Sequence, residues 1–356
     1  MDHWLWRAAL ALAIAVTSVE AHSADRLPNI HVLATGGTIA GAQASATFYG
    51  YKAGAVDVDS LLNSVPNLDK LAVVTAEQVA NIGSYDMNDE IWLRLAKRVN
   101  QLLNSPDTDG VLITHGTDTL EETSYFLDLV VKSDKPVVVV GSMRPATALS
   151  ADGPNNIYNG IAVATDPVAR GKGTLVCLND EIHYARNVVK TDTTNLQSFK
   201  SVNRGPAGQV HTGKIYWFEP MDHRIGKDTE FSVDDLARLP RVDIIYAHAN
   251  MSADLIEAAV KNGARGIVVA GVGDGNMART ALTELAKAAK KGIVIVRSTR
   301  VAQGIVLRNS NSEIDDDKLG FVASGELNPP KSRVLLQLAL TKTTDPVRIQ
   351  KMFEVY

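Results

Sequence analysis

The sequence predicts an α/β protein with two domains. The larger N-terminal domain is expected to have a doubly wound, flavodoxin-like and mostly parallel sheet, and the smaller C-terminal α/β domain a parallel sheet of its own. The length of 356 residues is sufficient for two domains of ordinary size. Short apolar runs alternate with segments whose apolar residues recur at helical spacing. The all-valine run at residues 137–140 is typical of a parallel strand that helices cover on both faces.

The first 24 residues have the layout of a secretory signal peptide. Arg7 precedes a short apolar stretch, and small residues follow at Ala21, Ser23 and Ala24. The stretch is too short to span a bilayer, and no later stretch is long and apolar enough to do so. We therefore expect residues 1–24 to be cleaved after one of these small residues and the mature protein to be exported, into the periplasm if the cell is Gram-negative.

The N-terminal domain is predicted at residues 25–218. Its first strand begins near Ile30, and the Gly/Ala/Ser-rich segment at residues 41–54 is of the kind that often forms a lid. Apolar runs predict further strands at residues 71–74, 110–114 and 137–140, and helical spacing predicts helices at residues 89–103 and 120–132.

The charged segment at residues 219–240 has no sustained period and is predicted to be the inter-domain linker. The C-terminal domain is predicted to follow at residues 241–356. Strands and helices alternate there again, with strands expected at residues 242–247, 266–270 and 292–296 and helices at residues 252–261, 278–290 and 331–340.

Composition narrows the class of protein. The chain is 45% hydrophobic and 21% charged, as in soluble globular proteins, and its formal net charge of −4 does not favour nucleic acid or an anionic membrane as a partner. The single cysteine, Cys177, excludes an internal disulfide and a multi-cysteine metal site, and its apolar surroundings indicate a core residue. None of the 8 histidines has the spacing of a metal-ligand motif.

The first strand ends in the turn Gly36-Gly37-Thr38. In open α/β sheets ligands bind where loops leave the carboxyl ends of strands, and glycines permit positive φ and a close backbone approach. The order Gly-Gly-Thr-Ile-Ala-Gly matches neither the dinucleotide fingerprint nor the phosphate-binding loop. Thr38 is therefore a candidate for chemistry, although most threonines at strand ends only form local hydrogen bonds.

A second strand-to-glycine-to-threonine turn, at residues 113–119, repeats this layout before a helix. Asp118 or Thr119 is expected to cap that helix, and a capping carboxylate still leaves one oxygen for the ammonium group of a ligand. Thr117 is the second candidate hydroxyl. We interpret His115 as a buried histidine and not as a metal ligand.

Lys190 lies in a third polar segment, at residues 187–195. A lysine in such a loop is usually solvated. A threonine hydroxyl is a weak nucleophile that needs a proton relay, and a desolvated lysine paired with an aspartate can supply one. Lys190 therefore matters only if the fold brings it to Thr117 and Asp118.

Three motifs together resemble the bacterial L-asparaginases, in particular the exported type II branch that includes the glutaminase-asparaginases. They are Ala-Thr-Gly-Gly-Thr-Ile-Ala-Gly at residues 34–41, Asn-Ile-Gly-Ser at residues 81–84 and Thr-His-Gly-Thr-Asp-Thr at residues 114–119. Further matching stretches lie at residues 141–145, 150–153, 199–202 and 320–324, so that the resemblance covers essentially the whole mature chain.

The resemblance implies a role for each matching position. Thr38 would be the nucleophile that forms an acyl-enzyme, and Tyr51 the mobile tyrosine that activates it. Thr117, Asp118 and Lys190 would form a triad-like relay. Asp118 and Ser84 would also hold the α-amino and α-carboxylate groups of a small-molecule substrate, and a neighbouring subunit of a homotetramer would supply Glu313. The resemblance implies no cofactor and no metal.

Two positions depart from the family pattern. Tyr85 stands where the family commonly has Gln or Glu, and Asp274 stands where many relatives have Asn. Both are candidate substrate-binding residues beside Ser84, Thr117 and Asp118. Their effect would fall on affinity and on the preference between asparagine and glutamine. One methylene changes binding by only a few kcal/mol, so the sequence alone does not set that preference.

The expected function is hydrolysis of L-asparagine to L-aspartate and ammonia through a threonine acyl-enzyme, with some activity on L-glutamine. A glutaminase-asparaginase with nearly equal activity on both amides is the closest alternative. A periplasmic amino-acid binding protein would show the same signal peptide and two α/β domains, but it has no use for two candidate nucleophiles and Lys190. A family member whose site has drifted is a third alternative.

Overall fold

The computed structural model describes residues 26–47, 50–218, 224 and 226–356. The predicted signal peptide at residues 1–24 lies outside these ranges. Within them, no helix combines the length and the apolarity that crossing a membrane requires.

The described residues form strands and helices in alternation along most of the chain. The strands are β1 (Asn29–Gly36), β2 (Ala42–Gln43), β3 (Tyr51–Lys52), β4 (Val73–Ile82), β5 (Gly110–Thr114), β6 (Val137–Val140), β7 (Thr174–Leu178), β8 (Glu181–Tyr184), β9 (Val189–Lys190), β10 (Phe199–Lys200), β11 (Gly208–His211), β12 (Lys214–Trp217), β13 (Val242–Tyr246), β14 (Gly266–Gly271), β15 (Val294–Thr299) and β16 (Phe321–Ala323). The helices are α1 (Val58–Asn63), α2 (Asp89–Leu103), α3 (Leu120–Val130), α4 (Gly153–Thr165), α5 (Asp254–Lys261), α6 (Arg279–Lys290), α7 (Asp316–Leu319), α8 (Pro329–Ala339) and α9 (Pro346–Val355).

The larger sheet has the strand order β12-β11-β8-β7-β6-β5-β1-β4. The strands from β4 to β7 are parallel to one another, whereas β8, β11 and β12 run antiparallel to their neighbours. Numbered in chain order, the parallel strands follow the sequence 2-1-3-4-5, which is the flavodoxin-like order. The predicted doubly wound sheet is confirmed, and its topological switch point lies between β1 and β5.

Helices cover both faces of this sheet. Buried side chains of α2 and α3 pack on one face, and those of α1 and α4 pack on the other. The predicted strands at residues 110–114 and 137–140 and the helix at residues 89–103 are confirmed with the same bounds. The predicted strand at residues 71–74 is instead the start of β4, whose polar, half-exposed continuation lacks a continuous apolar run.

The smaller sheet consists of β13, β14, β15 and β16 in that order, all parallel. Helices α5 and α6 cover one face with a core of their own. Helix α8 covers the other face and packs against α3, so that one continuous cluster of buried side chains joins the two sheets. The smaller parallel-sheet unit is therefore confirmed, and it shares part of its core with the larger one.

The described part of the predicted linker is packed against the rest of the chain. Phe231 and Val233 are fully buried in the cluster that contains α3 and α8. The hydroxyl of Thr229 donates to the carbonyl of Leu129 in α3. These contacts hold the segment on the surface of the larger unit.

Candidate active site

The turn after β1 and the turn after β5 meet backbone to backbone at the switch point. Gly36 and Gly37 have positive φ angles of 99° and 82°, as the sequence predicted for this turn. A Cβ on Gly37 would lie 2.3 Å from the Cα of Gly116, a distance that side-chain atoms do not tolerate. Glycine at these positions therefore brings the two threonine-bearing turns into contact.

Thr38 lies in a short 3-10 turn directly after this glycine pair and is almost fully buried. Its Oγ1 lies 2.7 Å from the hydroxyl oxygen of Tyr51, within hydrogen-bonding distance. Tyr51 stands on the small hairpin of β2 and β3, and its ring lies so close to Gly41 that a Cβ there would be 2.8 Å from the ring. The hairpin thus delivers a phenol to the Thr38 hydroxyl.

Lys190 connects the second threonine with the neighbouring carboxylate. Its Nζ donates to Thr117 Oγ1 at 2.9 Å and to Asp118 Oδ1 at 2.7 Å. The side chain of Lys190 is 18% exposed and that of Asp118 is 54% exposed, so the pair lies at the mouth of a cavity. The fold therefore brings together the three residues that the sequence left separate.

The predicted cap of α3 is confirmed in its residue but not in its hydrogen bond. Thr119 occupies the N-cap position, and no side-chain capping hydrogen bond is formed. Its hydroxyl donates to the backbone carbonyl of Ser84, and the carboxylate of Asp118 turns toward Lys190. Tertiary partners outcompete the local cap at this helix start.

Ser84 lies beside the second turn. It is 4% exposed, and its Oγ accepts a hydrogen bond from the backbone N–H of Asp118 at 3.1 Å. A Cβ on Gly116 would lie 2.7 Å from this Oγ. The serine hydroxyl is thereby held next to Asp118, as its predicted role requires.

One cavity of about 350 Å³ is lined by Thr38, Tyr51, Thr117, Asp118 and Lys190. That volume lies within the range of small-molecule sites.

The turn after β6 supplies another wall of the cavity, with Met143 and Arg144. The carboxylate of Asp152 accepts hydrogen bonds from the backbone N–H groups of both residues, at 3.0 and 2.9 Å. Asp152 therefore fixes this wall, a role that the sequence motif alone did not reveal.

Four predicted site residues do not line this cavity: Ser84, which lies beside it, and Tyr85, Asp274 and Glu313. Tyr85 is 70% exposed, and its ring lies over Gly83. Asp274 accepts a hydrogen bond from the backbone N–H of Leu307 at 2.9 Å, in the C-terminal unit. Glu313 is exposed and lies 3.3 Å from Arg279. The cavity of a single chain therefore contains the predicted catalytic groups except Glu313, whose role in a neighbouring subunit's site stays a prediction.

Known protein families and proteins match this chain over most of its length. The family model "Asparaginase, N-terminal" matches residues 29–223, and the model "Glutaminase/Asparaginase C-terminal domain" matches residues 241–353. The chain is 53% identical to L-asparaginase 2 of Escherichia coli (strain K12) over 330 residues, which cover 93% of this chain and 94% of that protein. The chain belongs to the asparaginase family. It is accordingly a hydrolase that acts on amide bonds.

Other members of the asparaginase family are also similar to this chain. It is 46% identical to a glutaminase-asparaginase of Pseudomonas fluorescens biotype A, with 98% of this chain and 96% of that protein covered. The crystal structure of a probable cytoplasmic L-asparaginase from Campylobacter jejuni superposes with a TM-score of 0.89 at 47% identity, covering 92% of this chain and all of that one.

Glu121 is a member of this asparaginase site that the sequence analysis missed. Its Oε2 accepts the backbone N–H of Lys190 at 2.8 Å, and its Oε1 accepts from Asn328 at 3.0 Å. In the sequence it is one of two acidic residues in the first turn of α3, where a favourable interaction with the helix dipole is a sufficient explanation. Its contact with Lys190 is visible only in the folded chain.

His115 and Cys177 are buried, as the sequence predicted. The Nδ1–H of His115 donates to the carbonyl of Gly116 at 2.6 Å. Burial lowers the pKa of His115 to about 4, and this hydrogen bond opposes the shift only partly. Among the described residues, no group of three or more His, Cys, Asp or Glu side chains is arranged to hold a metal ion.

We expect buried His115 to make this asparaginase fold less stable in acid. In the unfolded chain His115 has its ordinary pKa of 6.5 and binds a proton below that pH, whereas in the folded chain it binds one only below about pH 4. Stability is therefore lost as the pH falls from 6.5 to about 4. Between pH 7.5 and pH 5 the loss amounts to about 2 kcal/mol.

Urea unfolding at both pH values measures this loss. His115→Gln is expected to reduce the difference between the two free energies of unfolding, whereas His248→Gln, at an exposed position, leaves it unchanged. An equal difference in wild type and in His115→Gln would contradict the prediction.

Proposed function

We propose that this chain hydrolyses the side-chain amide of L-asparagine to L-aspartate and ammonia, with some activity on L-glutamine. The observation that carries the proposal is the convergence of two threonine hydroxyls, a phenol and a lysine–aspartate pair on one cavity. Acyl transfer requires a nucleophile, a proton relay and donors for the developing oxyanion, and the two glycine turns bring backbone N–H groups to the same place.

In the proposed first step, Thr38 Oγ1 attacks the amide carbon. Tyr51 lies at hydrogen-bonding distance, so its hydroxyl oxygen accepts the proton of Thr38 as the new bond forms and passes its own proton toward the amide nitrogen. The tetrahedral intermediate collapses when the amide nitrogen takes up a proton and leaves as ammonia. The product of this step is an ester between Thr38 and the substrate's side-chain acyl group.

In the proposed second step, water attacks this ester and the Thr38 oxygen leaves with a proton. We assign proton relay to Thr117, Lys190 and Asp118, because the ammonium group contacts both of the other side chains. The positive charge of Lys190 also stabilises negative charge that develops on nearby oxygens. The net reaction consumes one water and releases the acid and ammonia.

The proposed substrate contacts account for an α-amino acid. We assign the α-ammonium group to the carboxylate of Asp118 and the α-carboxylate to the region of Ser84. An amide that lacks these charged ends would leave Asp118 and Ser84 without their partners, which disfavours its binding. Tyr85 remains a candidate substrate contact beside Ser84, with 70% of its surface exposed and its ring outside the lining of the cavity.

We also propose that the active form is a homotetramer in which Glu313 and Asp274 serve a neighbouring subunit. Both lie on C-terminal loops that are tied together, since the amide of Asn311 donates to the side-chain oxygen of Asn276 at 2.9 Å. This hydrogen bond keeps the two loops together, so that both carboxylates can enter the same neighbouring cavity.

Two further proposals rest on the sequence. We propose that residues 1–24 direct export, into the periplasm of a Gram-negative cell. We also propose a catalytic domain at residues 25–218, a connecting segment at residues 219–240 and a C-terminal domain at residues 241–356.

Ammonia release from L-asparagine and from L-glutamine, measured side by side on the mature protein, tests the proposed function. We expect release from both, with asparagine preferred. Nearly equal rates would make the protein a dual glutaminase-asparaginase. Binding of asparagine without ammonia release would contradict the hydrolase proposal and favour an amino-acid binding protein or a drifted site.

A further inference from the structure

Lys331 is a buried lysine in the first turn of α8, in the C-terminal unit. It is 1% exposed. Its Nζ donates to the backbone carbonyl of Arg186 at 2.9 Å and to that of Val188. Both carbonyls belong to the short segment that leads into β9, the strand that carries Lys190.

Asn328, the N-cap residue of α8, contacts the same segment through Glu121. Its Oδ1 caps the helix by accepting from the backbone N–H of Lys331, and its Nδ2 donates to Glu121 Oε1. The other oxygen of Glu121 accepts the backbone N–H of Lys190. The start of α8 therefore contacts the backbone immediately before Lys190 and, through Glu121, that of Lys190 itself.

We propose that the first turn of α8, through Lys331 and Asn328, positions Lys190 so that its Nζ reaches Thr117. Both are positioning residues, because neither lines the cavity that contains Thr38. The proposal deepens the proposed function and rests on it.

Burying an ammonium group opposes folding, so a buried lysine indicates a specific contact that offsets this cost. Desolvation lowers the pKa of Lys331 to about 8, with Arg186 acting in the same direction, while Glu121 and Asp128 oppose the shift. A buried methionine of similar length would fill the same space without this desolvation cost. The ammonium group of Lys331 donates hydrogen bonds to two backbone carbonyls, which a methionine cannot do.

The segment before Lys190 has a second attachment that does not involve Lys331. The guanidinium of Arg186 donates to Glu326 at 3.1 Å and to the backbone carbonyl of Tyr356 at 2.9 Å. Loss of Lys331 therefore leaves the segment on the C-terminal unit but removes two of the contacts that set its exact path. A displacement of about 1 Å in a catalytic group lowers turnover by about a hundredfold.

The first test is Lys331→Met, compared with Gln337→Met. Gln337 lies on the same helix and is also 1% exposed, but its amide donates to Asp89 and to the carbonyl of Pro240, away from β9. We expect Lys331→Met to lower kcat for L-asparagine by about tenfold to a hundredfold with KM changed less than about threefold. Gln337→Met is expected to change kcat by less than about twofold at a similar loss in Tm.

Asn328→Ser provides a second variant that keeps a capping hydroxyl and removes the amide donor to Glu121. We expect it to lower kcat by about threefold to tenfold without a comparable change in KM. It also tests the proposal if Lys331→Met does not fold.

The outcomes separate the two proposals. If wild type releases no ammonia from either amide, the proposed function fails and this inference fails with it. If wild type is active and Lys331→Met loses no more kcat than Gln337→Met, or if its loss lies in KM alone, the positioning role is overturned while the proposed function stands. If only Asn328→Ser can be measured, an unchanged kcat overturns it.

Discussion

Replacing Thr38 by alanine is expected to lower kcat/KM for L-asparagine by at least about a thousandfold. The substitution removes the only protein atom that is proposed to bond to the substrate carbon. Thr38 lies next to a turn whose geometry depends on Gly36 and Gly37, so the backbone is expected to persist without the hydroxyl. Ammonia release under saturating and subsaturating asparagine measures the effect.

Thr38→Ser is the matched control because it keeps a hydroxyl at the same position. We expect it to retain far more activity than the alanine variant, with Tm close to that of wild type in both. Substantial turnover by Thr38→Ala would assign the nucleophile elsewhere, and Thr117 would be the first residue to test.

Lys190→Met is expected to lower kcat for L-asparagine by about a hundredfold to ten thousandfold, the usual contribution of a general acid or base. The substitution removes the donor that contacts both Thr117 and Asp118. Because the Asp118 side chain is 54% exposed, water can solvate its carboxylate once the partner is gone, and folding is expected to survive. The measurement is kcat with the thermal midpoint recorded in parallel.

Lys200→Met serves as the control for this prediction. Lys200 is on β10, paired directly with β9, and its Nζ lies 3.6 Å from Glu181, outside the cavity. We expect turnover within about twofold of wild type, since Lys200 neither lines the cavity nor contacts Thr117 or Asp118. A similar loss of kcat in both variants would mean that any lysine charge on the β9–β10 hairpin supports turnover. It would contradict a specific role for Lys190.

Segments with a strong hydrophobic pattern were predictable from the sequence, because that pattern fits only one type of secondary structure and one degree of burial. The valines of β6 are buried on both faces, and α2 has one apolar face and an N-cap, Asn88, so the predicted bounds are those observed. The turn at Gly36 and Gly37 was equally predictable, since glycine there adopts the positive φ values that other residues avoid.

Elements whose stability comes from distant contacts were not predictable. Helix α4 contains Gly153, Gly160 and several asparagines, which are poor helix formers. It forms because it packs against β5 and β6, where Gly160 permits an approach so close that a Cβ would lie 2.6 Å from Val140. The antiparallel strands β8, β11 and β12 are short, and each depends on hydrogen bonds to a neighbouring strand of the folded sheet.

The sequence by itself determined the α/β class, the two glycine turns with their threonines, and the family to which the chain belongs. These features reside in local pattern and in residue identity, and both can be read along the chain. The tertiary structure alone decided that Lys190 meets Thr117 and Asp118, that Glu121 and Lys331 hold its strand, and that Tyr85 faces solvent. Such contacts join residues 69 or more positions apart, and their geometry depends on the packing of two sheets and the helices between them.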